Sequence, residues 1–153
     1  MKRLFFVLLA FVSVGPAQAA GDLSRQDPIE IVVELGRPGV HAFFPSRIEL
    51  ETGKLYKLVL TNKSEAPHYF TSHEFSQRIF TRKVQVVSAG ADKAVLAEFK
   101  GAIREIEVYP GQTAEWWLVP IAAGRVTDLH CGVRDKDGKT HAEHGMVGEI
   151  VIR

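Results

Sequence analysis

The sequence predicts an all-β domain, a Greek-key sandwich or barrel of about eight strands. Three observations support this class. Short runs rich in β-branched and aromatic residues recur along the chain. Clusters of Gly, Pro, Asn and Asp separate these runs and are typical of turns. Helical spacing of apolar residues is confined to one short stretch. Many short strands with little helix are typical of sandwiches and barrels.

The strands follow one another at short intervals after residue 28. The segment 55–60 alternates apolar and polar residues, as expected of a half-buried strand. Pro45 indicates that the second strand starts at an edge or a bend, because proline cannot donate a backbone hydrogen bond. The predicted strands cover residues 29–35, 43–50, 55–60, 68–70, 103–109, 113–119, 126–131 and 147–152.

The stretch 73–101 is predicted to form a short helical or hairpin insertion. Phe75, Ile79 and Phe80 have helical spacing. Residues 83–88 and 95–99 can instead pair as a hairpin, since a turn-forming segment lies between them.

Adjacent tryptophans stand in the strand 113–119. Because successive side chains of a strand point to opposite faces, one of Trp116 and Trp117 is expected in the core. The other is expected to cover the exterior or an edge of the sheet.

The first 20 residues have the features of a secretory signal peptide. Lys2 and Arg3 precede the apolar run 4–14, and Ala17-Gln18-Ala19 provides a cleavage site of small residues. The apolar run is too short to span a bilayer.

We therefore predict a signal peptide over residues 1–20, a flexible lead over 21–28 and a single domain over 29–153. The mature protein is expected in the periplasm, with no membrane span.

Charge and cysteine content narrow the possible functions. Removing Lys2 and Arg3 from the 19 basic side chains, against 18 acidic ones, leaves a nearly neutral protein. Such a balance argues against nucleic-acid binding. An exported protein meets an oxidising compartment, where a single cysteine is expected to be buried, bridged to another chain or bound to a metal.

That single cysteine lies close to the only methionine of the mature chain. Cys131 and Met146 are 15 residues apart, and His141 and His144 stand between them. Thiolate, imidazole and thioether together form a donor set that suits copper. In a sandwich, strand ends converge at one pole, so His68, which starts a strand after a polar turn that Asn62 is expected to close, is a candidate partner.

Several segments of the chain resemble those of the cupredoxin family, the relatives of plastocyanin and azurin. The resemblance runs from about residue 43 to the end. It rests on Phe44-Pro45, Leu60-Thr61-Asn62, Pro67-His68, Pro110-Gly111-Gln112-Thr113, Gly124, Cys131 and His141-x4-Met146-Val147-Gly148.

This resemblance implies one copper ion per chain, cycling between Cu(I) and Cu(II). It implies His68, Cys131 and His141 as equatorial ligands and Met146 as the axial ligand. A mononuclear type 1 site of this kind serves one-electron transfer. The expected protein is therefore not an enzyme, and its partners are copper and a periplasmic redox or copper-trafficking protein.

Some alternatives remain open at this level. His144 is an alternative second imidazole, in an open site with a carboxylate such as Glu143 or Glu74. His130 is expected to be structural. His73 and His41, which lies outside the ligand segments, are expected at the surface or beside the ligands, and additional copper binding by them is left open.

The chain departs from the family pattern between Cys131 and His141. Nine residues separate them, where common members have two to four. The extra residues can bulge into solvent while both ends stay at the metal, or they can loosen the site. A looser site favours the alternative function, which is periplasmic copper handling for tolerance, buffering or delivery. A copper-free interaction module and a catalytic open copper site are further alternatives.

Overall fold

A computed structural model describes residues 26–88 and 95–153. The predicted signal peptide and most of the predicted lead lie outside these ranges. The elements in chain order are β1 Ile29–Arg37, β2 Val40–Phe44, β3 Arg47–Leu50, β4 Tyr56–Asn62, β5 His68–Thr71, α1 His73–Gln77, β6 Ile79–Val87, β7 Val95–Phe99, β8 Glu105–Val108, β9 Thr113–Pro120, β10 Gly124–His130 and β11 Val147–Ile152.

The strands form two sheets that pack face to face. One sheet has the order β2-β1-β4-β9-β6-β7 and the other the order β3-β11-β10-β5-β8. Most neighbouring strands are antiparallel, but β1 pairs with β4 in parallel and β3 pairs with β11 in parallel. The predicted all-β sandwich is therefore confirmed. Within the part of the chain that is described, no helix is long and apolar enough to cross a bilayer.

The described residues form eleven strands: the eight predicted ones, the two of the predicted hairpin, and one more because the strand predicted over 43–50 is divided. The single strand predicted over 43–50 is two strands in different sheets, β2 and β3, and the chain changes sheet at Pro45. Proline has no N–H to continue a ladder, so it suits such a corner.

The stretch predicted as a helical or hairpin insertion contains both structures. Helix α1 is one short turn, capped by Ser72, whose Oγ accepts from the N–H of Phe75 at 3.0 Å. Strands β6 and β7 then pair antiparallel, as predicted for the hairpin, although its proposed turn over 89–92 lies outside the described residues. Strand β6 also pairs with β9 along most of its length, so it is an integral strand of the sheet.

The core lies between the sheets and is filled by large apolar side chains. Trp116 is 1% exposed, and its ring meets those of Phe70 and Phe75 edge-on. Its indole N–H donates to Thr81 Oγ1 at 3.1 Å. Trp117 lies on the other face of the sheet, with the ammonium of Lys83 4.9 Å from its ring centre. The prediction of one core and one exterior tryptophan is confirmed.

Candidate metal centre

Residues far apart in the sequence meet at one pole of the sandwich. His68 begins β5, Cys131 directly follows β10, and His141 lies in the loop before β11. Nδ1 of His68 is 3.0 Å from Nδ1 of His141. Sγ of Cys131 is 3.7 Å from Nδ1 of His68 and 3.4 Å from Nδ1 of His141. Two imidazole nitrogens and one sulfur therefore form a small triangle, which we call the donor triangle.

The donor triangle has the dimensions for a single metal ion. First-row ions such as zinc bind imidazole nitrogen at about 2.0 Å and thiolate sulfur at about 2.3 Å. No side of the triangle exceeds the sum of the two corresponding bond lengths, so one ion can contact all three atoms. Imidazole and thiolate donors together suit copper. The described residues thus contain a grouping that fits a copper ion.

The donor triangle is closed off from water. His68 and Cys131 are 0% exposed and His141 is 1% exposed. Burial, reinforced by the neighbouring histidines, lowers the pKa of His68 from its ordinary 6.5 to about 4. Burial and the nearby His41 also lower the pKa of His141. At neutral pH both imidazoles are therefore uncharged, the state in which a histidine can bind a metal.

The turn before β5 fixes the ring of His68. Its Nε2 is 2.7 Å from Ser64 Oγ, and this pairing directs Nδ1 into the donor triangle. Ser64 is held in turn by Asn62, whose Oδ1 accepts from the Ser64 N–H at 2.8 Å and from its hydroxyl at 2.9 Å. Asn62 is buried and also donates to Val108 O at 2.7 Å. The prediction that Asn62 closes this turn is confirmed.

The sulfur of Cys131 is held by the backbone of the neighbouring strand. The N–H of Tyr69 donates to Sγ at 3.2 Å. Burial raises the pKa of the Cys131 thiol, and the N–H groups of Tyr69 and Val133 oppose that rise. These two N–H groups would stabilise the thiolate once a metal replaces the thiol proton.

The nine residues between Cys131 and His141 form a small hairpin closed at its base. The N–H of His141 donates to Val133 O at 2.7 Å, and Arg134 forms an antiparallel bridge with Thr140. The N–H of Asp135 donates to Lys139 O at 2.8 Å, which closes the tip. Residues 134–139 are exposed. Of the two possibilities that the sequence left open, the structure has the bulge into solvent, with both ends held at the donor triangle.

Met146 closes the same loop from its other end. Its N–H donates to His141 O at 2.8 Å, and its carbonyl accepts from the N–H of Cys131 at 3.2 Å. The side chain is 0% exposed. The predicted axial ligand is therefore buried, and its backbone is tied to two corners of the donor triangle.

A third histidine joins this cluster, and the sequence did not identify it. His41, on β2, stacks on His141 with ring centres 3.9 Å apart and planes at 17°. Single ligand nitrogens of His41, His68 and His141 all lie within 4.8 Å of one another. The sequence placed His41 outside the ligand segments, at the surface or beside the ligands, and in the structure it lies beside the predicted ligand His141. The sequence holds one clue to this position. His41 is two residues from the core residue Phe43, and residues two apart on a strand share a face, so His41 points to the inner side of the sheet.

The remaining histidines lie outside the donor triangle, although the ring centre of His144 is 5.9 Å from that of His41. His144 is exposed, and its Nε2 is 3.1 Å from a carboxylate oxygen of Asp137 at the hairpin tip. Glu143 accepts from the backbone N–H of Thr140 at 2.6 Å. His73 is exposed on α1, and Nδ1 of His130 is 2.7 Å from Asp128 O. Glu74 is exposed, and its N–H donates to Asp128.

Comparisons with known proteins agree with this architecture. Searches with protein-family models and among curated protein sequences find no match. Solved structures do match. The copper-containing nitrite reductase NirK from Thermus scotoductus aligns with 86% of this chain and 32% of its own, at 13% identity and a TM-score of 0.56. The multicopper oxidase McoA from Aquifex aeolicus aligns with 82% of this chain and 29% of its own, at 16% identity and a TM-score of 0.55.

A third solved structure matches more loosely over its full length. The reduced auracyanin of Roseiflexus castenholzii aligns with 84% of this chain and 99% of its own, at 14% identity and a TM-score of 0.49. The chain spans roughly a third of the length of the nitrite reductase and of the multicopper oxidase. Because their sequence identities to this chain are only 13% and 16%, the structural similarity establishes the fold alone. The chain has the cupredoxin fold, and at one pole of that fold it carries a buried cluster of histidines and one cysteine that fits a copper ion.

Proposed function

We propose that the protein binds one copper ion and transfers single electrons. His68, Cys131 and His141 would be the equatorial ligands and Met146 the axial ligand. One observation carries this proposal: the two imidazole nitrogens and the thiol sulfur already lie 3.0 to 3.7 Å apart in a buried pocket. Two imidazoles, a thiolate and a weak thioether form the donor set of electron-transfer copper sites.

The way in which the donors are held supports electron transfer over loose storage. Ser64 fixes His68, the Tyr69 N–H fixes the sulfur, and backbone hydrogen bonds tie the loop ends together. Ligands held by such contacts move little when an ion changes its charge. Small movement of the ligands favours fast exchange of one electron.

The cellular setting follows from the N-terminal pattern. We infer export to the periplasm by the signal peptide over residues 1–20. The protein would then exchange electrons with a periplasmic redox partner and act as a carrier rather than an enzyme.

Copper handling is the second candidate, and His41 is the observation that favours it. A third imidazole within 4.8 Å of the other two adds a nitrogen donor that a type 1 site does not use. This additional donor would suit a protein for copper tolerance, buffering or delivery, since imidazole binds ions of several metals and copper in both of its oxidation states.

Spectroscopy of the copper-loaded protein separates the two functions. After addition of Cu(II) to the mature protein, electron transfer predicts an intense sulfur-to-copper absorption band and a small hyperfine splitting in EPR. Cys131→Ala should abolish the band, whereas the exposed control His73→Ala should keep it. A pale protein that takes up Cu(I), or several copper ions per chain, would support handling instead. A protein that takes up no stoichiometric copper would contradict both.

A further inference from the structure

We propose that His41 is a transfer ligand, which takes copper from solvent and passes it to the buried donor triangle. This inference rests on the proposed copper site and assigns a role to a residue outside its ligand set. Four features of His41 support it: its exposure, its position over His141, its hydrogen bonding and its distance from the other donors.

His41 is the solvent-facing member of the three-histidine group. Its side chain is 24% exposed, whereas His68 and His141 are 0% and 1% exposed. Its ring lies flat on His141 at a centre-to-centre distance of 3.9 Å. An ion that approaches His141 from this side therefore meets His41 first.

The two ring nitrogens of His41 have contrasting environments. Nε2 faces a carboxylate oxygen of Asp135 at 3.3 Å. Nδ1 is buried and has no hydrogen-bond partner. An unpaired buried polar atom costs free energy, of the order of 1 to 3 kcal/mol. A carboxylate on one nitrogen and an unpaired second nitrogen is the arrangement common among metal-binding histidines.

The spacing suits a step between two overlapping sets of ligands. Two imidazoles bound to one ion are at most about 4.1 Å apart, twice a typical metal–nitrogen distance. The nitrogens of His41, His68 and His141 lie within 4.8 Å of one another. A shift of less than about 1 Å, with a turn of the His41 ring that directs its in-plane nitrogen lone pair at the ion, therefore lets His41 share an ion with the two buried histidines.

The transfer changes no oxidation state. His41 would bind the ion first, and the neutral imidazoles of His68 and His141 would then bind it without losing a proton. Cys131 would replace His41 in the last step, and its thiol proton would be released to water as the metal–sulfur bond forms. His41 would then return to its stacked position on His141, free to bind a further ion.

The rate of copper uptake tests this role. Copper-free mature protein is mixed with a coloured Cu(I)–chelator complex, and loss of the colour is followed by stopped flow. Equilibrium competition with the same chelator gives the final copper content and affinity. We expect His41→Phe, which keeps an aromatic ring over His141, to slow uptake on the order of tenfold or more. Its copper content and the visible spectrum of its Cu(II) form should match the wild type.

Two further variants make the result decisive. His41→Gln should also slow uptake. This second variant shows whether the slower rate comes from loss of the imidazole and not from the phenylalanine ring. His73→Gln changes an exposed histidine of α1 that is not part of the three-histidine group, and this variant should load at the wild-type rate. Wild-type uptake rates in both His41 variants would overturn the transfer role. Loss of copper or an altered spectrum in both would also overturn it, because His41 would then be a ligand of the final site. A wild-type protein that takes up no copper would instead refute the proposed function.

Discussion

Gly36 lies directly against the ring of His68. A Cβ atom on Gly36 would overlap Nε2 of His68 and lie within 2.9 Å of its Cδ2. Gly36 has a φ of +70° and stands where the pairing of β1 with β2 shifts by one residue. This bulge lets the backbone of β1 approach the Nε2 edge of the ring, the same edge that Ser64 contacts.

Gly36→Ala should weaken copper binding by displacing the imidazole of His68. The new methyl group pushes Nε2 away from Ser64, and overpacking of this kind costs about 1 to 3 kcal/mol. Gly39→Ala is a matched control, because Gly39 has a φ of +71° with nothing within 4 Å of its added Cβ. Chelator competition and urea unfolding should show a loss in Gly36→Ala beyond that in the control. Equal losses in both would mean that only backbone strain matters.

Ser64→Ala should lower copper affinity roughly 10- to 100-fold, the usual effect of removing the partner of a ligating histidine. The variant loses the 2.7 Å contact between Ser64 Oγ and His68 Nε2, so the ring is free to turn. Ser76→Ala removes a comparable hydroxyl, which donates to His73 O on the exposed face of α1. Competition titrations should leave this control unchanged. Unaltered affinity in Ser64→Ala would show that packing alone orients His68.

The copper-free protein should lose stability as the pH falls from about 6.5 towards 4. The pKa of His68 is lowered to about 4 in the folded protein, so the unfolded chain binds a proton more readily. The stabilising contribution is therefore complete above 6.5 and is lost as the pH falls through 4. For a shift of this size it amounts to at most about 3 kcal/mol. Urea unfolding at several pH values measures it.

His68→Gln is the control for this pH dependence. It should show a shallower loss over the same range, with a remainder from His141, whose pKa is also lowered. A slope identical to that of the wild type would place the pH-sensitive group elsewhere.

Shortening the hairpin between Cys131 and His141 should leave the donor triangle intact. Replacing residues 135–139 with a two-residue Asn-Gly turn keeps the bridge between Arg134 and Thr140. The hydrogen bond from His141 N–H to Val133 O also remains. The Cu(II) absorption and EPR spectra should therefore match the wild type. A changed spectrum would mean that the tip residues help to set the ligand geometry.

The sequence predicted most of the fold because turn residues and alternating patterns are local features. It misjudged residues 43–50, since both halves have strand character and only tertiary packing assigns them to different sheets. It also treated the region of β6 as an insertion, because pairing with β9 depends on residues about 30 positions away.

In the candidate site, too, local sequence features could be predicted and contacts that depend on tertiary packing could not. Cys131, His141 and Met146 attract notice because they are close in sequence, and the resemblance to cupredoxins added His68. His41 was missed because it reaches His141 only through the pairing of β1 with β2, which has no local signature. Spacing alone also could not show that the hairpin closes on itself, since its hydrogen bonds depend on backbone geometry.

The location of β2 at the edge of its sheet has a dynamic consequence. This strand pairs with β1 alone, through a short and interrupted ladder. Edge segments of this kind open at a lower free energy than the whole domain. Detachment of β2 would lift His41 away from His141 while β5, β10 and β11 kept their places. Hydrogen exchange at the β2 amides would then measure how often this strand detaches and uncovers the buried cluster. The rate at which β2 detaches would limit the rate at which the pole of the sandwich opens.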